Sequence, residues 1–253
     1  MRIFTCEDSF EAMMTCIYDA WEWAAENGHD NVRLMREPVY QQSLFDEYIH
    51  VDADSEKALK VSRSIQNQIS KDAYVHVYYA SLSHDEGALD AIYRFLLRGF
   101  AVGARICFML TDPYVIPLME LKRKVGNESH FFREFARFDS IDNKIYVCHI
   151  EPKDNVVYLV AQHFADRMPS EYWMIIDDNR RLSVVHPADE DMYFRNLSDE
   201  EFNILSQTES VDDEYKELWK TFFNAIGIKQ RTNYECQRNL MPLWMRKHVT
   251  EFM

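Results

Sequence analysis

The segment AQHFADR sets an imidazole and a guanidinium four residues apart, at His163 and Arg167. On a helix these two side chains share one face. Asp177 closes the apolar run EYWMIID, and Arg180 and Arg181 lie just beyond it. Such a set can grip a phosphate or the edge of a nucleobase through charge-assisted hydrogen bonds. It can equally be an internal ion pair, Arg167 with Asp177, that ties a helix to a sheet. As chemistry, His163 would be the general acid or base and Asp177 the group that orients it, so these two are the catalytic candidates. Arg137, framed by Phe135 and Phe138, adds a cation on a regular element.

The stretch RTNYECQRNLMPLWMRK, from Arg231 to Lys247, offers a second constellation. On a helix Asn233 and Gln237 lie on one face, and their amides carry donor and acceptor together, as reading a base requires. Arg231 and Arg238 can meet phosphates, and Tyr234 and Trp244 can stack on bases. The binding candidates are therefore Arg137, His163, Arg167, Arg180, Arg231, Asn233, Gln237 and Arg238. The competing reading is a terminal helix capped and glued to the body by the same polar groups. Glu128, His130 and His163 could assemble around a metal, but their spacing does not demand it. The chain has no CxxC or HExxH pattern, no phosphate-cradling glycine loop and no GxSxG elbow. No metal site and no cofactor are expected.

The elements that must position these residues follow from periodicity. RIFTC alternates as a strand, and Phe10, Met13, Met14, Ile17 and Trp21 then fall on one helical stripe, capped by Asp8 or Ser9. The stretch from Asn27 to Asp54 reads as a loop-rich connector. Helices are expected in SEKALKVSRSIQNQIS, capped by Asp54 or Ser55, in AYVHVYYASL, whose aromatics and valines can also be read as a strand, in DEGALDAIYRFLLRGFAVG and after Asp112-Pro113. Beyond about Gly126 the pattern changes to a strand NKIYVCHI, a helix NVVYLVAQHFADRM, and strands EYWMII and RLSVVH joined by the turn DDNR. This β-α-β-β order predicts a small antiparallel sheet with its helix on one face. Helices DEEFNILSQ and DDEYKELWKTFFNAIG follow, the second ended by Gly227, and the last short helix is interrupted at Pro242. The expected class is α+β, mainly helical. Residues 1–126 form a mainly helical part with an N-terminal strand, and 127–253 form the β-α-β-β part with the C-terminal helices, unless the two make one compact unit.

Composition bounds what such a chain can do. With 253 residues, 47% hydrophobic content, six glycines and seven prolines it can bury a full core. No apolar run approaches the span of a membrane helix, so no membrane partner is expected. Acids stand where a secretion signal would need an apolar core, and the five cysteines are scattered and odd in number. Reduced thiols and a cytoplasmic location are the expectation. A net charge of −14 argues against indiscriminate coating of DNA. The charge is segregated, however. His186 to Glu217 holds eleven acids against Arg195 and Lys216, whereas the segment from Lys229 onward holds five bases against Glu235 and Glu251.

The stretches DPYVIPLMELKRKVGNESH, EFARF, IEPKDNVVYLVAQHFADRMPSEYWMIIDDNRR and RTNYECQRNLMP together resemble a bacterial family of DNA-metabolism (DNA-repair) proteins that contain the DUF4130 domain. The opening RIFTCEDSFEAMMTCIYDAW fits the family's strand-helix start. The resemblance places weight on Arg137, Pro152, His163, Phe164, Arg167, Trp173 and Asp177, and in the tail on Arg231, Asn233, Gln237, Met241 and Pro242. The segment LWMRK and the turn DDNRR depart from the family's usual pattern. Members are often encoded beside a radical SAM protein, and in some bacteria the domain is fused to a uracil-DNA glycosylase-like domain. The resemblance thus implies a factor that binds DNA or a nucleotide and works with a radical SAM partner. An adaptor for that partner and a nuclease- or glycosylase-like hydrolase are the alternatives.

Overall fold

Ser9 decides where the first helix begins. Its hydroxyl accepts the Ala12 N–H, which satisfies one of the orphan donors at the start of α1 (Phe10–Asn27). The helix follows β1 (Arg2–Cys6) and ends at Gly28, whose φ of 89° is the left-handed region glycine reaches without strain. The computed structural model describes residues 1–141, 144–207 and 214–252. Within them the chain divides into two compact units, Met1–Gly126 and Asn127–Met253.

In the first unit β2 (Val32–Arg36) and β3 (Glu47–His50) pair with β1 on either side, both parallel, in the order β2-β1-β3. This corrects the reading of Asn27 to Asp54 as a loop-rich connector. Both strands are short and flanked by turn formers, and what defines them is pairing with a strand 30 to 45 residues away, for which β1 registers Arg2 with Val32 and with Glu47. Asp54 then caps α2 (Ser55–Ser64), accepting from the Glu56 and Lys57 amides, and the helix widens into a π turn at Ile65–Ile69. Helices α3 (Lys71–Ser81), α4 (Ala88–Val102) and α5 (Ile116–Phe135) follow. Their apolar stripes bury Met13, Ile17, Ile65, Ile92, Phe95 and Leu118 in one core with Phe4 and Leu34 of the sheet. Gly99 sits where a Cβ would come 2.7 Å from Ile69 Cδ1, so its bare backbone lets α4 close on the π turn.

The second unit holds β4 (Asp139–Ile141), β5 (Ile145–Ile150), α6 (Val157–Arg167), β6 (Trp173–Asp177), β7 (Leu182–His186) and β8 (Tyr193–Asn196). They form one sheet in the order β4-β5-β6-β7-β8. The expected antiparallel sheet is in fact mixed, because β5 and β6 run parallel while every other pair is antiparallel. The cause is the connection. A helix between neighbouring strands carries the chain back to its starting edge, whereas the short turn after Asp177 reverses it. Val157, Val160, Ala161 and Phe164 form the buried face of α6. Trp173 is buried, donates Nε1–H to the Met168 carbonyl at 3.2 Å and stacks on His186.

Helices α7 (Asp199–Gln207), α8 (Glu214–Ile226) and α9 (Tyr234–Leu240) complete the chain, with short 3-10 turns after Pro242 and at Thr250. Asn143 of the expected strand, and Glu209, Asp212 and Asp213 of the acidic run, lie outside the described residues. The class is α+β and mainly helical. Among the described residues no helix is long and apolar enough to cross a membrane.

Candidate functional site

Two parallel neighbours end at the same edge, and the residues that follow them open onto a shared crevice. Here β5 is followed by Glu151 and β6 by Asp178, and the register sets Ile150 beside Asp177. His149, one residue before the end of β5, meets Asp178 with 2.7 Å between Nδ1 and Oδ1. The C-terminal segment brings His248, whose Nε2 lies 3.4 Å from Glu151 Oε1 and 3.5 Å from Asp178 Oδ2. Lys247 closes on the same Glu151 oxygen as an ion pair. The two imidazoles stack at 5.9 Å and 29°. Together these groups line a cavity of about 550 Å³ that Asn179 and the apolar Val147 and Phe202 help to wall.

Burial pushes the Glu151 carboxyl up, but Lys247 and His248 outweigh it and hold the group below its ordinary range. Glu151 raises the Lys247 ammonium in return, although Lys247 is 62% exposed and the pair adds little stability. Glu151, Asp178 and His248 each offer one ligand atom, all within 4.8 Å of one another. Tetrahedral ligands about 2.1 Å from a zinc-like cation sit roughly 3.4 Å apart, which the His248 distances match. His149 would hold the Asp178 ligand from outside, as hydrogen-bonded second partners do. The arrangement can therefore move protons through two imidazoles, or hold a divalent cation between two carboxylates.

The loop that carries Glu151 is itself fixed from below. Glu128 on α5 is buried, its Oε1 accepting the Lys153 N–H at 2.7 Å and its Oε2 the Asp154 N–H at 3.0 Å. Burial pushes this carboxyl up to about 7, against the two backbone donors and helped by the Asp154 carboxyl. The trio Glu128, His130 and His163 is not what the fold assembles as a cation site. Glu128 is spent on backbone amides, and His130 pairs with Glu134 at 3.2 Å.

None of the residues singled out from the sequence lines the cavity. Asp177 is fully buried, its Oδ1 accepting the Asn179 and Arg180 amides and its Oδ2 the Arg180 guanidinium at 3.0 Å. The expected partner Arg167 is thus replaced by Arg180, which also donates to the Pro152 carbonyl. Burial raises the Asp177 pKa against the pull of Arg180. No described hydrogen bond joins Asp177 to His163, which is half-buried on α6 and whose pKa burial lowers, with Arg167 and Arg133 adding to it. Arg137 forks onto Glu251 at 2.6 and 3.3 Å. Asn233 caps α9 by accepting the Cys236 N–H, and Arg238 donates to the Tyr234 carbonyl. The Gln237 carbonyl accepts from Arg246. Arg167 and Arg231 are exposed, and their guanidinium groups make no hydrogen bond or ion pair among the described residues.

Sequence reasoning missed His149, Glu151, Asp178, Lys247 and His248. A signal existed for three of them. Polar residues at the ends of strands flanking a crossover helix mark a binding edge, but only when the strands are parallel. Nothing local marks His248, which a distant segment brings in.

A family model described as DUF4130, domain of unknown function, matches residues 86–251. No curated protein matches the chain.

Proposed function

The chain belongs to the DUF4130 family, and on that footing we propose that it is a DNA-metabolism factor that takes a nucleic acid or nucleotide and cleaves it hydrolytically at the edge of β5 and β6. The carrying observation is the 2.7 Å contact of His149 with Asp178 inside an open cavity that also holds Glu151 and His248. An imidazole so oriented can accept a proton from water and return it to a leaving group. Two carboxylates repel phosphate, so a divalent cation between Glu151, Asp178 and His248 would neutralise the site and polarise water when bound. The DNA-directed part of the reading is supported by the resemblance in sequence and by Arg167 and Arg231, whose guanidinium groups stand exposed.

The test uses the full chain with labelled single-stranded, double-stranded and uracil-containing oligonucleotides, with and without Mn²⁺. Cleavage is expected with the cation, and His149→Ala should lower the rate by about 10²-fold or more. Absence of product from every substrate, or a His149→Ala rate equal to wild type, would overturn the hydrolytic reading.

A second reading, an adaptor for the radical SAM partner, is favoured by α8. Leu218, Phe222 and Ile226 recur at four-residue spacing and are 64%, 50% and 58% exposed. Such a stripe suits a helix laid against another protein.

A further inference from the structure

The first unit carries a second opening, outside the residues of the family match and independent of the centre at β5 and β6. The chain leaves β1 for β2 on one side and reaches β3 on the other, so β1 is a point where strand order reverses. In open parallel sheets ligands settle beyond the carboxyl ends at such points. A cavity of about 520 Å³ lies there, lined by Thr5, Glu7, Asp8, Glu37, Gln42 and Tyr48 among others. Its size is that of a small-molecule site.

Alternation along the strands turns Phe4 and Leu34 into the helical core and leaves Thr5, Tyr48 and His50 on the opposite face. Glu37, just past β2, is held there from two directions. The Thr5 hydroxyl donates to Glu37 Oε1 at 2.7 Å, and His50 Nδ1 meets the same oxygen at 2.7 Å. Both contacts keep the carboxyl below its ordinary range. Oε2 receives neither contact and remains as an acceptor whose position is set in advance. None of the lining residues is a lysine or arginine, and the neighbouring Arg36 is already paired with Asp8 at 2.8 Å. Three carboxylates and no cation exclude a phosphate and favour a ligand rich in hydroxyl and amine donors. Pro38, Val39 and the Tyr48 ring supply apolar wall for a planar group, and the same loop carries Tyr40, 83% exposed. A carboxylate at the end of the second strand of a β-α-β unit is well placed to accept from a ribose.

We propose that this cavity binds a nucleoside without phosphate, its ribose hydroxyls on Glu37 and its base against Tyr48. The probe is adenosine, titrated calorimetrically into the full chain. Binding is expected, with 2′-deoxyadenosine and the variant Glu37→Gln each weakening it by roughly 10-fold or more, since a hydrogen bond to a charged group is lost. AMP should bind at least roughly 10-fold more weakly than adenosine, because its phosphate meets Glu7 and Asp8. Should Glu37→Gln lower the melting temperature, Gln42→Ala leaves the Thr5–Glu37–His50 cluster intact and must itself weaken adenosine. The proposal fails if adenosine does not bind, if AMP binds as tightly, if neither variant changes the affinity, or if spermidine binds where adenosine does not. His149→Ala is expected to leave adenosine binding unchanged, so failure of this site and failure of the hydrolytic centre are read separately.

Discussion

Glu128 shows how one side chain couples pH to the site. Its pKa of about 7 exceeds the ordinary 4.5, so between those values the folded chain holds a proton that the unfolded chain has released. A folded state that binds more protons loses stability as pH rises. The contribution is therefore intact below pH 4.5, falls through the window and is lost above about 7. Over that interval wild type should lose on the order of 3 kcal/mol of stability relative to Glu128→Gln, since each pH unit separating the folded from the unfolded pKa corresponds to about 1.4 kcal/mol. Urea unfolding of both chains at pH 4.5, 6 and 8 measures it; parallel curves would mean that the proton sits elsewhere. At this scale the sequence is readable where a residue acts on its own neighbours. Ser9 and Asp54 are legible as caps because the amides they satisfy lie two or three positions on. Glu128 is not, because the amides it accepts lie about 25 positions away at Lys153 and Asp154.

At the level of elements, the helices of the first unit follow their apolar stripes, and α6 follows its own. The strands follow theirs less closely. β2 and β3 are four or five residues long and gain definition only from β1 between them. The direction of β5 against β6 depends on α6 spanning from one to the other, and that direction decides whether Glu151 and Asp178 share an edge. α8 is legible as a helix, but the exposure of its apolar stripe is not. If that stripe docks the proposed radical SAM partner, Leu218→Glu with Phe222→Glu should abolish the co-purification that this reading expects while leaving the circular dichroism melt within about 1 kcal/mol of wild type, as surface changes usually do. Retained co-purification would remove the support that α8 lends to the adaptor reading.

For the whole molecule the governing quantity is a charge of −14 with acids and bases segregated along the chain. Long-range repulsion makes any contact with nucleic acid local and salt-sensitive. Affinity for a short oligonucleotide should fall as salt rises, and Arg231→Ala should flatten the log–log slope by about 1 if Arg231 meets a phosphate. Fluorescence anisotropy between 50 and 200 mM salt, a span over which phosphate contacts release roughly one counterion each, reads this directly. A slope unchanged by Arg231→Ala assigns the exposed guanidinium to solvation alone. Arg137 and Asn233 belong elsewhere, since Glu251 and the Cys236 amide already occupy them.

The sequence by itself determined the class of the molecule, most of its helices, the pair of residues from which each of the first two N-caps comes, and the uneven distribution of charge. Each of these rests on interactions within a few residues, which periodicity and side-chain type record. Only the tertiary structure decided that β5 and β6 run parallel and that His149, Glu151, Asp178 and His248 meet. These depend on contacts across tens of residues of chain. Local patterning leaves no trace of such a contact, because either partner would sit equally well in its own element without the other.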